Sequence, residues 1–269
     1  FENCKVYNYE KQKESKIYTD TKSYDKYDMF LDGATALIEI ENPSAEADKE
    51  LIVCVKPVGL DSEHEVPDML KIDFPGEISP LHRLDKNVGG VMVYAKTAAC
   101  AAHLSRQMTE GGFDKRYMAV LCGVPEACEG TLEDLLYHDR QKNKTYVVKR
   151  QRRGVKSARL DYSVLDERAG HCLVDVKLYT GRTHQIRAHM AHIGHPLLGD
   201  GKYGINKSDK GKGYKYQALY SYRLIFDFAD NSGALGYLKG KEVSLSPEDI
   251  WFVSDFPRAD QIIEGLRKK

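Results

Sequence analysis

An α+β fold is predicted for this 269-residue chain by three observations. Apolar and polar residues alternate over short segments such as 116–122 and 172–179, the period of half-buried strands. Most such segments follow one another through glycine-rich or basic turns, the signature of hairpins and hence of a mainly antiparallel, mixed sheet. Helical signals are few and short, and they do not alternate with strands in the regular βαβ manner.

Taken in order, residues 1–48 are polar and tyrosine-rich, with one apolar patch at 34–40 broken by Asn42-Pro43-Ser44. They read as an extension carrying two strands. Residues 51–55 (LIVCV) are a continuous apolar run, hence a buried strand, stopped by Lys56-Pro57. Residues 59–77, rich in acids and prolines, read as a loop. After Gly89-Gly90 the run 91–95 is a second buried strand. Thr97 caps a helix through Met108 with a small-residue face (Ala98, Ala101, Ala102), ended by Gly111-Gly112.

Residues 116–122, 145–149, 157–165 and 172–179 read as strands, the middle two joined by a basic turn at 150–156. Thr183 is the expected cap of a helix over 184–193 that Gly194 and Pro196 terminate. A Gly/Lys loop at 199–217 precedes a strand at 219–228 and a hairpin over 236–245, turning at Lys239-Gly240. Ser246-Pro247 with Glu248-Asp249 begins a helix, and the last ten residues form a short amphipathic one. No internal repeat or linker interrupts the chain. The organisation expected is an N-terminal extension (1–48), one catalytic domain (49–257) and a helical tail (258–269).

Hydrophobic residues make up 42% of the chain and charged residues 30%, the balance of a soluble protein with a sizeable core. Formal net charge is zero, but its distribution is uneven. Residues 1–50 carry 12 acids against 7 bases, whereas 140–160 carry nine Lys/Arg and no acid, which points to a local electropositive face. The six cysteines show no Cys-x-x-Cys spacing. Cys54, Cys122 and Cys172 lie in apolar runs, as free thiols do in a reducing cytoplasm. No apolar run approaches the roughly 20 residues that span a bilayer, so no membrane partner is expected. The chain begins at Phe1 rather than Met, which leaves a preceding segment open.

Four stretches carry polar groups in patterns suited to chemistry. Lys56-Pro57-Val58-Gly59-Leu60 forms a shaped loop after a buried strand. His82-Arg83-Leu84-Asp85 places one carboxylate between a basic pair and the Gly-Gly bend. Lys115-Arg116-Tyr117 sets an aromatic at a strand start beside two cations. Gly181-Arg182-Thr183-His184-Gln185-Ile186-Arg187 gathers two guanidiniums, an amide and an imidazole at a helix start, where free N–H groups bind anions. The histidines 184, 189, 192 and 195 invite a metal reading. They include no i, i+4 pair, and no acid lies between the first and last, so no metal is expected.

Five segments together make the chain resemble the RluA-type RNA pseudouridine synthases. In the family's order they are KPVGL (56–60), LHRLDKNVGGVMVYAK (81–96), KRYMAV (115–120), GRTHQIRAHMAHIGHPLLGDGKYG (181–204) and QALYSYRLIF (217–226). The resemblance covers roughly residues 50–256. It implies the pseudouridine synthase fold, a bent sheet with a central catalytic cleft, and isomerisation of uridine in ribosomal or transfer RNA without a cofactor. It implies Asp85 as the catalytic aspartate, Tyr117 as the tyrosine stacking on the target uracil, and Arg182 as the partner of the aspartate. Arg83 matches the arginine that fills the space left by the flipped nucleotide. RNA contacts are expected from Arg83, His82, His184, Gln185, Arg187, Arg150, Arg152, Arg153 and Lys156. Val88-Gly89 departs from the family's usual Thr-Ser, and Tyr220-Ser221 from its common His-Ala. Residues 1–48 lack the small RNA-binding domain that many relatives carry.

The implied chemistry fits a motif with a single acid. An ordinary glycosidase needs a second carboxylate to activate water. Here the detached uracil rotates and rejoins through C5, so no water is activated. The carboxylate acts either as a nucleophile at C1′ or as a base at C2′. The expected protein is a cytoplasmic monomer, with RNA as its partner. Two rival readings are an RNA-binding relative without turnover, prompted by Val88-Gly89, and a His-dependent metallohydrolase.

Overall fold

The computed structural model describes residues 4–8, 36–40, 50–204, 216–228, 233–245 and 249–258, together with 261, 262 and 265. The chain divides into two compact units, Phe1–Phe113 with Phe226–Lys241, and Asp114–Ile225 with Glu242–Lys269.

The first unit holds strands β1 (Cys4–Asn8), β2 (Ala36–Ile40), β3 (Leu51–Lys56), β4 (Ser79–Pro80) and β5 (Gly89–Ala95). β1 pairs with β2, β2 with β3, β3 with β5, and β4 also joins β5, all antiparallel. The two strands expected in the extension are thus present. Every residue of β3 and β5 is buried, as their continuous apolar runs require. Helix α1 (Glu65–Asp73) replaces the loop expected at 59–77. Its acids obscure a helical apolar face, Val66, Met69 and Leu70, which is buried. Pro67 lies in the first turn, where its missing N–H is no loss. Helix α2 (Ala98–Thr109) is capped by Thr97, whose Oγ1 accepts the Cys100 N–H at 3.1 Å.

The second unit carries β6 (Phe113–Cys122, its first residue in the other unit), β7 (Glu129–Asp139), β8 (Lys144–Val148), β9 (Val155–Arg168) and β10 (His171–Leu178). Helix α3 (Gln185–His192), β11 (Leu219–Phe226) and the short β12 (Glu242–Ser244) complete it. The strand order is β11-β6-β10-β9-β7-β8. Met118, Leu121, Leu160, Leu173 and Val176 form its dry centre. Strand β7 is an addition to the elements expected from sequence: its Leu-Glu-Asp-Leu-Leu centre has no clean period of two, and only Leu136 is fully buried. The hairpin expected over 236–245 is also different. Gly233–Leu238 is a 3-10 turn, and β12 pairs instead with β11 through Leu224 and Val243. The helix start at Ser246-Pro247 and most of the C-terminal tail lie outside the described residues, as does 205–215 of the Gly/Lys loop.

Candidate active site and nucleic-acid interface

In the first unit, residues 81–88 form a turn clamped by main-chain and side-chain bonds. Leu81 N–H donates to the Val93 carbonyl at 3.0 Å, and Val88 N–H to that of Asp85 at 2.8 Å. His82 Nε2 accepts the Val93 N–H at 3.3 Å, which fixes the ring against β5. Ser62 Oγ donates to the Leu84 carbonyl at 3.0 Å. The Lys86 carbonyl accepts both Gly59 N–H (2.8 Å) and Lys56 Nζ (3.2 Å). Gly59 sits at φ 97°, a conformation that a side chain would strain, so the close approach of 56–60 to the turn requires this residue. Asp85 itself is half-buried.

Lys56 is the anchor beneath the turn. Fully buried, it also donates to the carbonyls of Pro57 and Leu60, each at 2.8 Å. Burial pulls its ammonium down to about 8, although Asp61 and Asp85 oppose the drop. A lysine ending an apolar strand just before Pro-Val-Gly is a visible signal in the sequence, yet its role as an internal tie is not. Arg83, by contrast, is exposed and pairs with Glu63 at 3.0 Å, an ion pair that solvent weakens.

The second unit holds the other candidates. Tyr117 is buried on β6, opposite Val176 of β10. Thr183 does not cap α3; the cap position is His184, at φ 54°. Gln185 performs the ordering, since its Oε1 accepts both the Arg182 N–H (3.0 Å) and the Thr180 hydroxyl (2.7 Å), while Nε2 donates to the Arg159 carbonyl. The Arg182 side chain is half-buried, with Nε donating to the Ser157 carbonyl at 3.0 Å. His184 shares a hydrogen bond with the Tyr203 hydroxyl, which in turn accepts the Thr145 N–H.

Arg187 turns inward. It is buried and pairs two-pronged with Asp200, at 2.7 and 2.8 Å. Burial raises the Asp200 carboxyl, but Arg187 and the Lys202 and Tyr203 N–H groups outweigh it and hold the carboxyl below its usual range.

Arg153, Lys156 and Arg182 line one cavity of about 810 Å³, together with His138, Arg140 and Thr183. Arg152 lies over the Tyr137 ring at 4.7 Å, and Arg150 is exposed. An electropositive recess of this size suits a phosphate with its nucleoside. His138 escapes a reading of the sequence because β7, which brings it here, has no periodic signal. Among the described residues, no group of three or more His, Cys, Asp or Glu side chains is placed to share a metal. Buried His189, facing Asp134 at 3.9 Å, is held below its usual range by burial. No described helix is long and apolar enough to cross a membrane.

The chain belongs to the RNA pseudouridylate synthase family, whose family model matches residues 50–192. It is 32% identical over 197 residues to ribosomal large subunit pseudouridine synthase D of Borreliella burgdorferi, covering 72% of this chain and 57% of that protein. It is 35% identical to an uncharacterized RNA pseudouridine synthase of Bacillus subtilis, over 70% of this chain and 55% of that protein. The chain therefore spans about half the length of the curated relatives it matches. The fold is that of human RNA pseudouridylate synthase domain containing 1, with a TM-score of 0.65 at 22% identity, covering 82% and 93% of the two chains. The human domain-containing 4 protein aligns with a TM-score of 0.55 at 26% identity, covering 66% and 82%.

Proposed function

We propose that this protein is an RNA pseudouridine synthase that isomerises uridine in a structured ribosomal or transfer RNA, with no cofactor. The observation that carries the reading is the clamped turn around Asp85, in a chain of this family. Asp85 acts at the ribose, as nucleophile at C1′ or base at C2′. Tyr117 stacks on the target base, an interaction worth about 1–3 kcal/mol. Arg182 supplies positive charge to the reacting nucleotide. Arg83 takes the place of the flipped nucleotide on leaving Glu63.

The cavity beside Arg153, Lys156 and Arg182 receives RNA phosphate, and Arg150 and Arg152 extend the basic face. His82 and His184 add contacts. Gln185, committed to the Arg182 loop, and Arg187, committed to Asp200, make internal bonds rather than grip RNA. The catalytic domain is 49–257, and the protein works as a monomer in the cytoplasm, in keeping with its free buried thiols Cys54, Cys100 and Cys172. The name of the Borreliella burgdorferi relative mentions the ribosomal large subunit, which makes that RNA the first to test. The experiment is tritium release from ribosomal and transfer RNA transcripts labelled at uridine C5, followed by mapping of the product. Release at a defined uridine is expected. A folded protein that binds these RNAs and releases no tritium is the non-catalytic relative instead.

A further inference from the structure

Lys115 is a buried cation without a counterion. The residue is only 7% exposed, and its ammonium, which keeps some access to solvent, has neither a hydrogen-bond acceptor nor a carboxylate partner among the described residues. Burial and the neighbouring Arg182 both push it toward losing its proton. A Cβ at Gly181 would stand 4.0 Å from Lys115 Nζ, so the ammonium lies against the loop that presents Arg182. Its neighbours on β6 are treated differently: Arg116 pairs with Asp175 at 2.6 Å, and Asp114 with Lys177 at 2.8 Å. Strand alternation puts Lys115 on the same face as Tyr117, and Asp114 and Arg116 on the other. One face of β6 is thus charge-compensated, while the face that carries the base-stacking tyrosine holds an uncompensated cation. Such a cation is costly to the free protein, and an anion that arrives only during turnover would satisfy it.

Resting on the reading of function above, we propose that Lys115 is a further catalytic residue, whose ammonium hydrogen-bonds a ring carbonyl oxygen of the departing uracil and stabilises its negative charge. Both routes open to Asp85 need such a group. In the first, the carboxylate forms a bond to C1′ as the C1′–N1 bond breaks, and the electron pair leaves on N1. In the second, the carboxylate takes the C2′ proton, a C1′–C2′ double bond forms, and the pair again leaves on N1. Either way the uracil departs as an anion with its charge spread over N1, O2 and O4. A hydrogen-bond donor preset where charge develops favours the transition state over the ground state. Lys115 keeps its proton throughout. C5 then bonds to C1′, as the Asp85–C1′ bond breaks in the first route or as Asp85 returns its proton to C2′ in the second. Loss of the C5 proton to the freed carboxylate or to water completes the isomerisation.

The test compares wild type with Lys115→Met and Lys115→Arg on the RNA that wild type modifies. Lys115→Met should melt no lower than wild type, because it removes a largely buried cation that has no counterion among the described residues. Its RNA affinity and salt dependence should be nearly unchanged, while single-turnover tritium release slows by about 10²–10³-fold. Lys115→Arg should recover part of the loss. The decisive measurement is cleavage of RNA carrying 5-fluorouridine at the target. Fluorine stabilises the departing anion, so the Met variant's deficit should shrink there by at least about tenfold; a merely structural lysine would leave the deficit the same. If Lys115→Met does not fold, Lys115→Gln serves the same comparison. Unchanged turnover, an equal deficit on both RNAs, or a loss confined to affinity and salt slope, as for a phosphate-binding group, overturns the assignment alone. A wild type that forms no pseudouridine overturns the reading of function and this inference with it.

Discussion

The buried ammonium of Lys56 donates to the carbonyl of Lys86, one residue beyond Asp85, at 3.2 Å. Through that bond and two others at 2.8 Å it ties the end of β3, the 57–60 loop and the aspartate turn into one rigid piece. The tie has a definite pH dependence. Lys56 is lowered from 10.5 to about 8 by burial, against Asp61 and Asp85. Below pH 8 both folded and unfolded chains carry the charge, and the folded state bears its burial cost in full. Between 8 and 10.5 the unfolded chain binds one more proton, so this group makes stability rise with pH.

Activity should move the other way. A neutral amine has only two N–H groups for three carbonyls, and it no longer supports the negative charge of Asp85. The single-turnover rate is therefore expected to fall above about pH 8 while the melting temperature holds or rises. A rate that stays flat well into the alkaline range, measured on the same preparation, would remove Lys56 from the account.

Arg187 and Asp200 make the opposite kind of prediction. Removing one partner of a buried, two-pronged pair leaves an uncompensated charge and costs about 3–5 kcal/mol. Arg187→Ala should thus lower the melting temperature sharply, with the RNA salt slope unchanged in whatever remains folded. Asp200 is held below its usual range, so its contribution is present above the unfolded carboxyl pKa and is lost as pH falls through the folded one. The stability gap between wild type and Asp200→Asn should be wide at neutral pH and close in acid. A lower salt slope in folded Arg187→Ala would show that the guanidinium does reach RNA.

These two pairs also mark what can be read from residue order alone. Strands β3, β5, β6 and β10 are legible because their apolar content is continuous or alternates, and α2 because Thr97 supplies its cap. Helix α1 is hidden by acids on its exposed face, although Val66, Met69 and Leu70 have helical spacing. Strand β7 is hidden because half-burial on both faces erases alternation. The chemically charged segments are all visible as motifs. What a motif cannot say is whether a cation faces solvent, a carboxylate or neither: Arg150, Arg187 and Lys115 occupy these three states, and only packing separates them.

The basic turn between β8 and β9 should contribute unevenly to RNA binding. Arg153 and Lys156 line the cavity beside Arg182, whereas Arg150 does not, and Arg152 is stacked over Tyr137. Arg153→Ala with Lys156→Ala should weaken binding and lower the salt slope by up to about 0.7–0.9 for each phosphate that is no longer neutralised. Arg150→Ala should change it less. Equal slopes for both variants and wild type would place the phosphate path elsewhere.

Tyr117→Phe should bind RNA as wild type does if the ring acts by stacking alone. Tyr117→Ala should bind more weakly, by the roughly 1–3 kcal/mol of one base–aromatic stack, and it also leaves a cavity on β6. A Phe variant that binds normally but turns over far more slowly assigns the hydroxyl a chemical role, such as removing the C5 proton. Near-normal activity in both variants would eliminate the stacking assignment.

Asp85→Asn tests the mechanism most directly. The bonds described above for the 81–88 turn use main-chain groups, Ser62, His82 and Lys56, and none of these requires the Asp85 charge. The amide keeps the shape of the side chain, and the missing electrostatic support of Lys56 should cost about 1 kcal/mol or less. The variant should accordingly fold and melt close to wild type. RNA binding should persist or tighten, since one negative charge near the phosphates is gone. Turnover should drop by at least about a thousandfold, the scale of losing a principal catalytic group, because an amide neither attacks C1′ nor takes the C2′ proton. Melting, RNA affinity and tritium release from C5-labelled RNA, read on one preparation, separate these effects. A folded Asp85→Asn protein that binds RNA and still forms pseudouridine at near wild-type rate would falsify the assignment of the aspartate, and with it the mechanism built on that turn.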